Sequence, residues 1–338
     1  MQETSTYSFS VIIPVYNRPD ELTHLLESIR RQTIKPLEVI VIEDGSNISS
    51  EDVCKLYSSE LSLTYLSTPN QGPAMARNAG TALAKGDWLL FFDSDCELPN
   101  HYFEMVTKVL SDDEALQLFG GPDSAAPDFN RFQHAMSYAM TSILTTGGIR
   151  GGKKKADVFY PRTFNMGVKR EAFEEVSGFR NLRFGEDLDF SMRIIASERK
   201  SALIPEAFVF HRRRTSSKAF FRQVFNSGMA RWVLEEFHPG TLKVVHTLPS
   251  FFTVFLMVCL IMGIANPLAI LPVFIPGAVW LLHATIQTKS LLTGVLASWC
   301  SYVQLTGYGS GFLWALILKI SGTKKLSERY AFRESFYD

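Results

Sequence analysis

Two short acidic stretches hold the side chains best placed to do chemistry. In WLLFFDSDCE (88–97) an apolar run leads straight into Asp93 and Asp95, with Glu97 close behind. Carboxylates that close repel one another, and a divalent cation is the obvious partner to hold them together. On extended backbone, side chains two positions apart point the same way. Two hard oxygen ligands then suit Mg2+ or Mn2+, which keep positions open for phosphate oxygens. On a diphosphate such an ion acts as a Lewis acid for the leaving group. Taken alone, Asp-x-Asp is more often a solvated turn. The second stretch, GEDLDF (185–190), places Glu186, Asp187 and Asp189 at the start of a helical pattern. Acids there also complement the helix dipole, so the pattern has a purely structural reading too.

The elements that must position these acids follow from periodicity. FSVIIPVYN (9–17), LEVIVIEDGS (37–46), LSLTYLST (61–68) and DWLLFFDSD (87–95) are short, β-rich runs that end in turn chemistry, the pattern of strands. Between them lie helical patterns: RPDELTHLLESIRRQ, with Pro19 near its start, SSEDVCKLYSS, and GPAMARNAGTALAKG. Strands alternating with helices predict an α/β fold with a mostly parallel sheet and right-handed crossovers. Ligands in such sheets bind beyond the carboxyl ends of the strands. Here those ends carry Tyr16-Asn17, Asp44 and Asp93/Asp95. No GxGxxG or GxxxxGK[ST] loop is present, which excludes the usual dehydrogenase and P-loop signatures. Further on, ALQLFGGP reads as a strand, FNRFQHAMSYAMTSIL as a helix and GGKKKAD (151–157) as a loop beside the site. Helices are predicted from about Lys169 and over 185–200, and SALIPEAFVFHRRR reads as short strands.

Charge divides the 338 residues sharply. The totals are balanced, 34 basic against 34 acidic, yet no Asp, Glu, Lys or Arg lies between Lys243 and Lys289 or between Lys289 and Lys319. A water-soluble part followed by a membrane module is the reading. Residues 248–265 and 267–286 each approach the length of a membrane span, with a break at Asn266-Pro267. Residues 291–318 are one tilted span or a re-entrant pair broken around Gly307, Gly309 and Gly311. From Lys319 onward there are five basic and three acidic residues, so the positive-inside tendency places the tail in the cytosol. An even number of crossings, and hence the re-entrant form, follows if the soluble part is cytosolic as well. The region 216–246 has Phe220, Phe221, Val224 and Phe225 on one side of a helix, suited to a membrane interface or to core packing. Cys54, Cys96, Cys259 and Cys300 form no CxxC pair, which fits a reducing cytosol. No signal peptide is expected from the first residues. Basic residues form only short local runs, so no nucleic-acid partner is expected.

Taken in order, SVIIPVYNRPDELTHLLESIRRQ, EVIVIEDGS, NQGPAMARNAG, GDWLLFFDSD and NLRFGEDLDFSMRI resemble the family 2 inverting glycosyltransferases, over roughly residues 8–235. The resemblance implies a GT-A fold, a nucleotide-diphosphate sugar donor, Mn2+ or Mg2+ as cofactor, and inverting transfer. Residues 120–240 and the apolar tail are most similar to the subgroup related to succinoglycan glucosyltransferases, through GGP, FNMGVKREAF and YGSGF. By that comparison Pro14, Tyr16 and Asn17 form the base-binding edge, Asp44 contacts uracil or ribose, and Arg77 and Asn78 line the nucleotide. Asp93 faces ribose and metal, Asp95 ligates the metal, and His211 completes its shell. Asp187 is the catalytic base and Glu186 orients the acceptor or the neighbouring helix. Arg212, Arg213 and Arg214 grip the donor diphosphate or an acceptor phosphate. Rival readings remain open: Asp44 as a turn cap before Gly45, Arg77 as a buried ion-pair partner of Asp44 or Asp93, His211 and the arginines as structural or lipid-facing. The Gln-x-x-Arg-Trp motif of processive synthases is absent, since Gln223 lies eight residues before Arg231-Trp232.

The expected organisation is a cytosolic GT-A catalytic domain (1–215), an amphipathic interface region (216–246), a membrane module (247–320) and a cytosolic tail (321–338). The expected activity is transfer of one sugar, from a UDP-sugar, to a lipid-linked or glycolipid acceptor at the cytoplasmic face of the inner membrane, in cell-surface polysaccharide or glycolipid synthesis. A polyprenyl-phosphate sugar synthase and a non-catalytic sugar-nucleotide-binding scaffold are the alternatives.

Overall fold

The structure is a computed structural model and describes residues 7–124, 129–146, 159–212, 216–322 and 325–331. The strands are β1 (Phe9–Val15), β2 (Glu38–Asp44), β3 (Leu63–Thr68), β4 (Trp88–Phe92), β5 (Cys96–Glu97), β6 (Leu116–Gly120), β7 (Asp123–Ser124), β8 (Asn165–Lys169), β9 (Lys200–Leu203) and β10 (Val209–His211). The helices begin with α1 (Pro19–Arg30), α2 (Glu51–Tyr57), α3 (Pro73–Leu83), α4 (Tyr102–Asp112), α5 (Arg131–Thr141) and α6 (Ile143–Thr146). They continue with α7 (Arg170–Glu175), α8 (Glu186–Ala196), α9 (Ser217–Phe237), α10 (Leu248–Ala265), α11 (Leu271–Thr288), α12 (Leu291–Ile320) and α13 (Leu326–Arg329). The chain divides into two compact units: residues 1–124, 154–211 and 330–338, and residues 125–153 and 212–329.

In the first unit seven strands form a sheet in the order β3-β2-β1-β4-β8-β6-β9. β3, β2, β1 and β4 run parallel, as the alternating pattern predicts. β8 is antiparallel to both β4 and β6, and β6 is parallel to β9, so the sheet is mixed rather than purely parallel. The inner strands β1, β2 and β4 are continuous apolar runs because helices cover both faces. Val11, Ile13, Leu90 and Phe92 pack with Leu22, Leu25, Leu26 and Ile29 of α1 and with Phe103 and Val106 of α4. The intervening Ile12, Leu89 and Phe91 point the other way, onto Ala172 and Phe173 of α7 and Phe190 and Ile194 of α8. α3 lies so close to β1 that a Cβ on its Gly80 would sit 2.6 Å from Ile12 Cγ2.

A second, three-stranded sheet, β5-β10-β7, does the positioning. β10 pairs antiparallel with β5, His211 opposite Cys96, and parallel with β7, Val209 opposite Asp123. Residues far apart in sequence are thereby brought beside the end of β4.

The second unit is helical. α9 buries Phe220, Val224, Gly228, Met229, Val233 and Leu234. Its close partner is α12: Gly307 faces Val224, and a Cβ on Gly311 would lie 2.0 Å from the Phe225 carbonyl. Gly309 faces α10, where the Pro249 carbonyl would be 2.3 Å from an added Cβ. The glycines expected to break residues 291–318 instead lie within one continuous helix and let its neighbours approach. α5 also belongs to this unit, with Ala135, Met136 and Ala139 in one apolar cluster with Ala297, Cys300 and Val303 of α12. Residues 129–146 therefore fall outside the first unit, although the sequence places them within the span 1–215. A helix's apolar face does not say which element it will cover. Val244–Ala265 and Pro267–Thr288 are long and apolar enough to cross a membrane, and much of their apolar surface faces outward, Phe251, Ile261, Ile264, Phe274 and Ile286 among it.

Candidate active site

The acids converge beyond the carboxyl end of the sheet, in the first unit. β4 stops at Phe92, and the chain then turns: the Cys96 amide donates to the Asp93 carbonyl at 3.0 Å. The extended-backbone expectation for Asp93 and Asp95 fails for that reason, and the two carboxylates take different partners. Asp93 accepts from Arg77 Nη2 at 2.7 Å. Asp95 accepts from Arg18 Nη1 at 3.0 Å and lies 3.1 Å from His211 Nε2. His211 Nδ1 is 3.9 Å from Asp123, and its ring stacks on Phe164.

Arg77, on α3, is almost wholly buried and spans two acids, Asp93 and, at 3.1 Å, Glu186. Burial works against its charge, and the two carboxylates more than restore it, holding its pKa above the ordinary arginine value. This is the buried ion pair the sequence left open, with Glu186 in place of Asp44. Asn78, one residue on, exchanges hydrogen bonds with the Phe179 backbone, accepting at 3.0 Å and donating at 2.8 Å. Its amide thus fixes the approach to α8.

α8 opens on Gly185 in the left-handed region (φ 82°), followed directly by Glu186 and Asp187. Asp187 is held by Nε of Arg162 and accepts the Leu188 amide at 2.8 Å. Burial and then the adjacent Asp187 charge push Glu186 up to about 7, against the pull of Arg77. Asp189, fully buried, pairs with Arg180 and Arg193 at 2.7 and 2.9 Å and is structural.

The nucleotide-edge candidates are engaged in shaping loops. Asp44 accepts the amides of Gln71 and Gly72, each at 2.8 Å; burial raises its pKa and those two hydrogen bonds oppose the rise. It caps the turn into α3, and each oxygen keeps a lone pair. Asn17 (φ 54°) receives the amides of Asn47 and Ile48 through Oδ1, tying the ends of β1 and β2 together. Pro14 pairs with Ile42 of β2 beyond the point where the ladder to β4 ends, at Ile12, and Tyr16 follows at the strand end. Arg212 follows β10 directly, while Arg213, Arg214 and the GGKKKAD loop lie outside the described residues.

Three residues with no marked signal in the sequence complete the site: Arg18, Arg162 and Asp123. Only FGGPD, with its acid after a strand end, gave any local hint. The donor set at Asp95 suits a divalent cation. Asp95, Cys96 and His211 offer ligand atoms within 4.8 Å of one another, and an oxygen with an imidazole nitrogen fits Mn2+ better than the all-oxygen habit of Mg2+. Cys96 is fully buried, and its thiol donates to the Phe164 carbonyl at 3.4 Å. Carboxylates at Asp93, Asp95, Asp123, Glu186 and Asp187 outnumber the guanidinium groups of Arg18, Arg77 and Arg162, a deficit that a cation would offset.

Residues 10–177 match the model of the family described as Glycosyl transferase family 2. The chain therefore carries a family 2 glycosyltransferase domain, on an α/β, GT-A-like fold. It is 39% identical over 111 residues to the uncharacterized glycosyltransferase YibD of Escherichia coli (strain K12), covering 32% of each chain. It is 27% identical over 218 residues to the minor teichoic acid biosynthesis protein GgaB of Bacillus subtilis (strain 168), covering 63% of this chain and 24% of that one. The chain thus spans well under half the length of either relative. Among solved structures it is similar to the mannosyltransferase PcManGT from Pyrobaculum calidifontis, in complex with GDP-Man and Mn2+: TM-score 0.54, 18% identity, 95% of this chain and 90% of that one. At that identity the likeness is one of fold.

Proposed function

We propose that the protein is a metal-dependent inverting transferase that moves one sugar from a nucleoside-diphosphate sugar to a lipid-linked acceptor. The observation that carries this reading is the bridge made by Arg77, which joins Asp93 at the end of β4 to Glu186 at the start of α8. A metal-ligating side, Asp95 with His211, and a base-bearing side, Asp187, are thus parts of one polar constellation. Asp95 and His211 would hold Mn2+, with Asp93 facing donor ribose and ion; the ion would supply charge stabilisation for the departing diphosphate. Asp187 takes the proton as the acceptor oxygen attacks the anomeric carbon and the bond to the diphosphate breaks, so configuration inverts in one displacement. Arg162 fixes the orientation of Asp187, and Glu186 shapes the acceptor side. The outward-facing apolar helices α10 and α11 serve as a membrane anchor, holding the domain at the cytoplasmic face where a lipid-linked acceptor is concentrated.

A second reading, transfer to a polyprenyl phosphate, draws on the Arg162 guanidinium at Asp187, a partner suited to a phosphate acceptor. The test is nucleotide release by nanodisc-held protein over a panel of UDP-sugars and GDP-mannose with Mn2+, with glycolipid or polyprenyl-phosphate acceptors. UDP-sugar turnover that requires a lipid acceptor is expected. Asp187→Asn should keep nucleotide affinity and lose about a hundredfold or more in turnover. Near-normal transfer by that variant would refute Asp187 as base, and a polyprenyl-phosphate requirement would select the second reading.

A further inference from the structure

Beyond α13 the chain returns to the catalytic unit. Tyr330 and Ala331 belong to that unit, and Ala331 forms an antiparallel bridge with Leu182. The Arg183 amide donates to the Tyr330 carbonyl at 3.1 Å. The Tyr330 ring lies against Phe184, centroids 5.3 Å apart. Leu182 is buried. Leu182, Arg183 and Phe184 immediately precede Gly185, Glu186 and Asp187. The segment that delivers the two acids is therefore fixed at Phe179 by Asn78, at its far end by α8, and at its middle by residues from the end of the chain.

We propose that Tyr330 and Ala331 form a strap that positions the Gly185-Glu186-Asp187 turn, with Tyr330 as a positioning residue for the acceptor side. Gly185 adopts a left-handed conformation, one of several open to glycine, so held flanks help to select it. Displacing a base by a fraction of an ångström is costly to turnover. The pairing has a second consequence. Leu182 and Ala331 stand on the same side of any bilayer, so the chain between them crosses it an even number of times. If α10 and α11 each cross and the charged α9 does not, α12 does not cross either. The positioning role rests on the transferase reading above, whereas the pairing and its parity do not.

Three measurements on the full chain test the strap. In hydrogen exchange, the Arg183 amide should exchange about tenfold or more faster in Tyr330→Ala than in wild type; equal protection would overturn the proposal. In sealed membranes, an impermeant maleimide should reach Ser335→Cys from the same side as Lys108→Cys, which is exposed on α4, and reach Asn266→Cys from the other. Labelling of Ser335→Cys from the side opposite Lys108→Cys would overturn it as well. In kinetics, Tyr330→Ala should lower acceptor kcat/KM about five- to tenfold with nucleotide affinity unchanged, and Tyr330→Phe, which keeps the ring, should restore it. Unchanged acceptor kinetics, or equal losses for acceptor and nucleotide, would refute the positioning role. If wild type transfers no sugar from any donor, the transferase reading fails, and exchange and labelling still decide the strap.

Discussion

Replacing Glu186 by Gln isolates the electrostatic strain of the site. Glu186 is buried beside Asp187, and its carboxyl is pushed from 4.5 up to about 7. The native state therefore binds a proton that the unfolded chain releases at lower pH. Stability contributed by this group is present in full below the unfolded value and falls as pH rises toward 7, levelling above it. A rise of that size sets a ceiling of about 3 kcal/mol on the effect. Gln removes the charge yet still accepts from Arg77, which also keeps Asp93. The variant should stay within about 1 kcal/mol of wild type near pH 5 and become the more stable by about 2–3 kcal/mol near pH 8. Denaturant melts of the two proteins at closely spaced pH values between about 5 and 8.5 measure the difference directly. A flat difference across that range would refute the reasoning, and so would a variant less stable at high pH, which would mean that the Arg77 ion pair outweighs the burial and Asp187 repulsion.

Two other outcomes follow from the geometry. Asp95→Ala should abolish the Mn2+ dependence of nucleotide binding by calorimetry, because Asp95 and His211 supply the oxygen and nitrogen donors; undiminished affinity with Mn2+ would remove Asp95 from the metal site. Gly311→Val should destabilise the helical unit by about 1–3 kcal/mol, since even a Cβ would lie 2.0 Å from the Phe225 carbonyl on α9; an unchanged thermal midpoint would argue against the close α9–α12 approach.

The parallel core of the sheet was readable because fully buried strands leave continuous apolar runs, and their ends were marked by Asn17, Asp44 and Asp93. The acids of the site were readable too, since Asp93, Asp95, Glu186 and Asp187 stand in short, unusual clusters. Their partners were not. Arg18, Arg77 and Arg162 reach acids 77, 109 and 25 positions away in the chain, and no local pattern separates such an arginine from one on the surface. Gly307, Gly309 and Gly311 were ambiguous for a different reason: glycine permits a broken helix and a closely packed one equally, and only the neighbouring helices decide. The separate partners of Asp93 and Asp95 were hidden because the tripeptide does not reveal where the strand ends and the turn begins.

The division of the helical unit bears on how the protein is made. α5 leaves the ribosome some 150 residues before α12, the helix that shares its apolar cluster. At ordinary synthesis rates that is a wait on the order of ten seconds. During it Met136 and Ala139 have no α12 to bury them, which leaves the nascent chain prone to aggregate. The same order penalises any attempt to trim the molecule to a water-soluble enzyme. A chain ended at Lys243 keeps every acid of the site, yet it loses α12 and leaves α5 uncovered, so aggregation, not lost chemistry, would be its first defect.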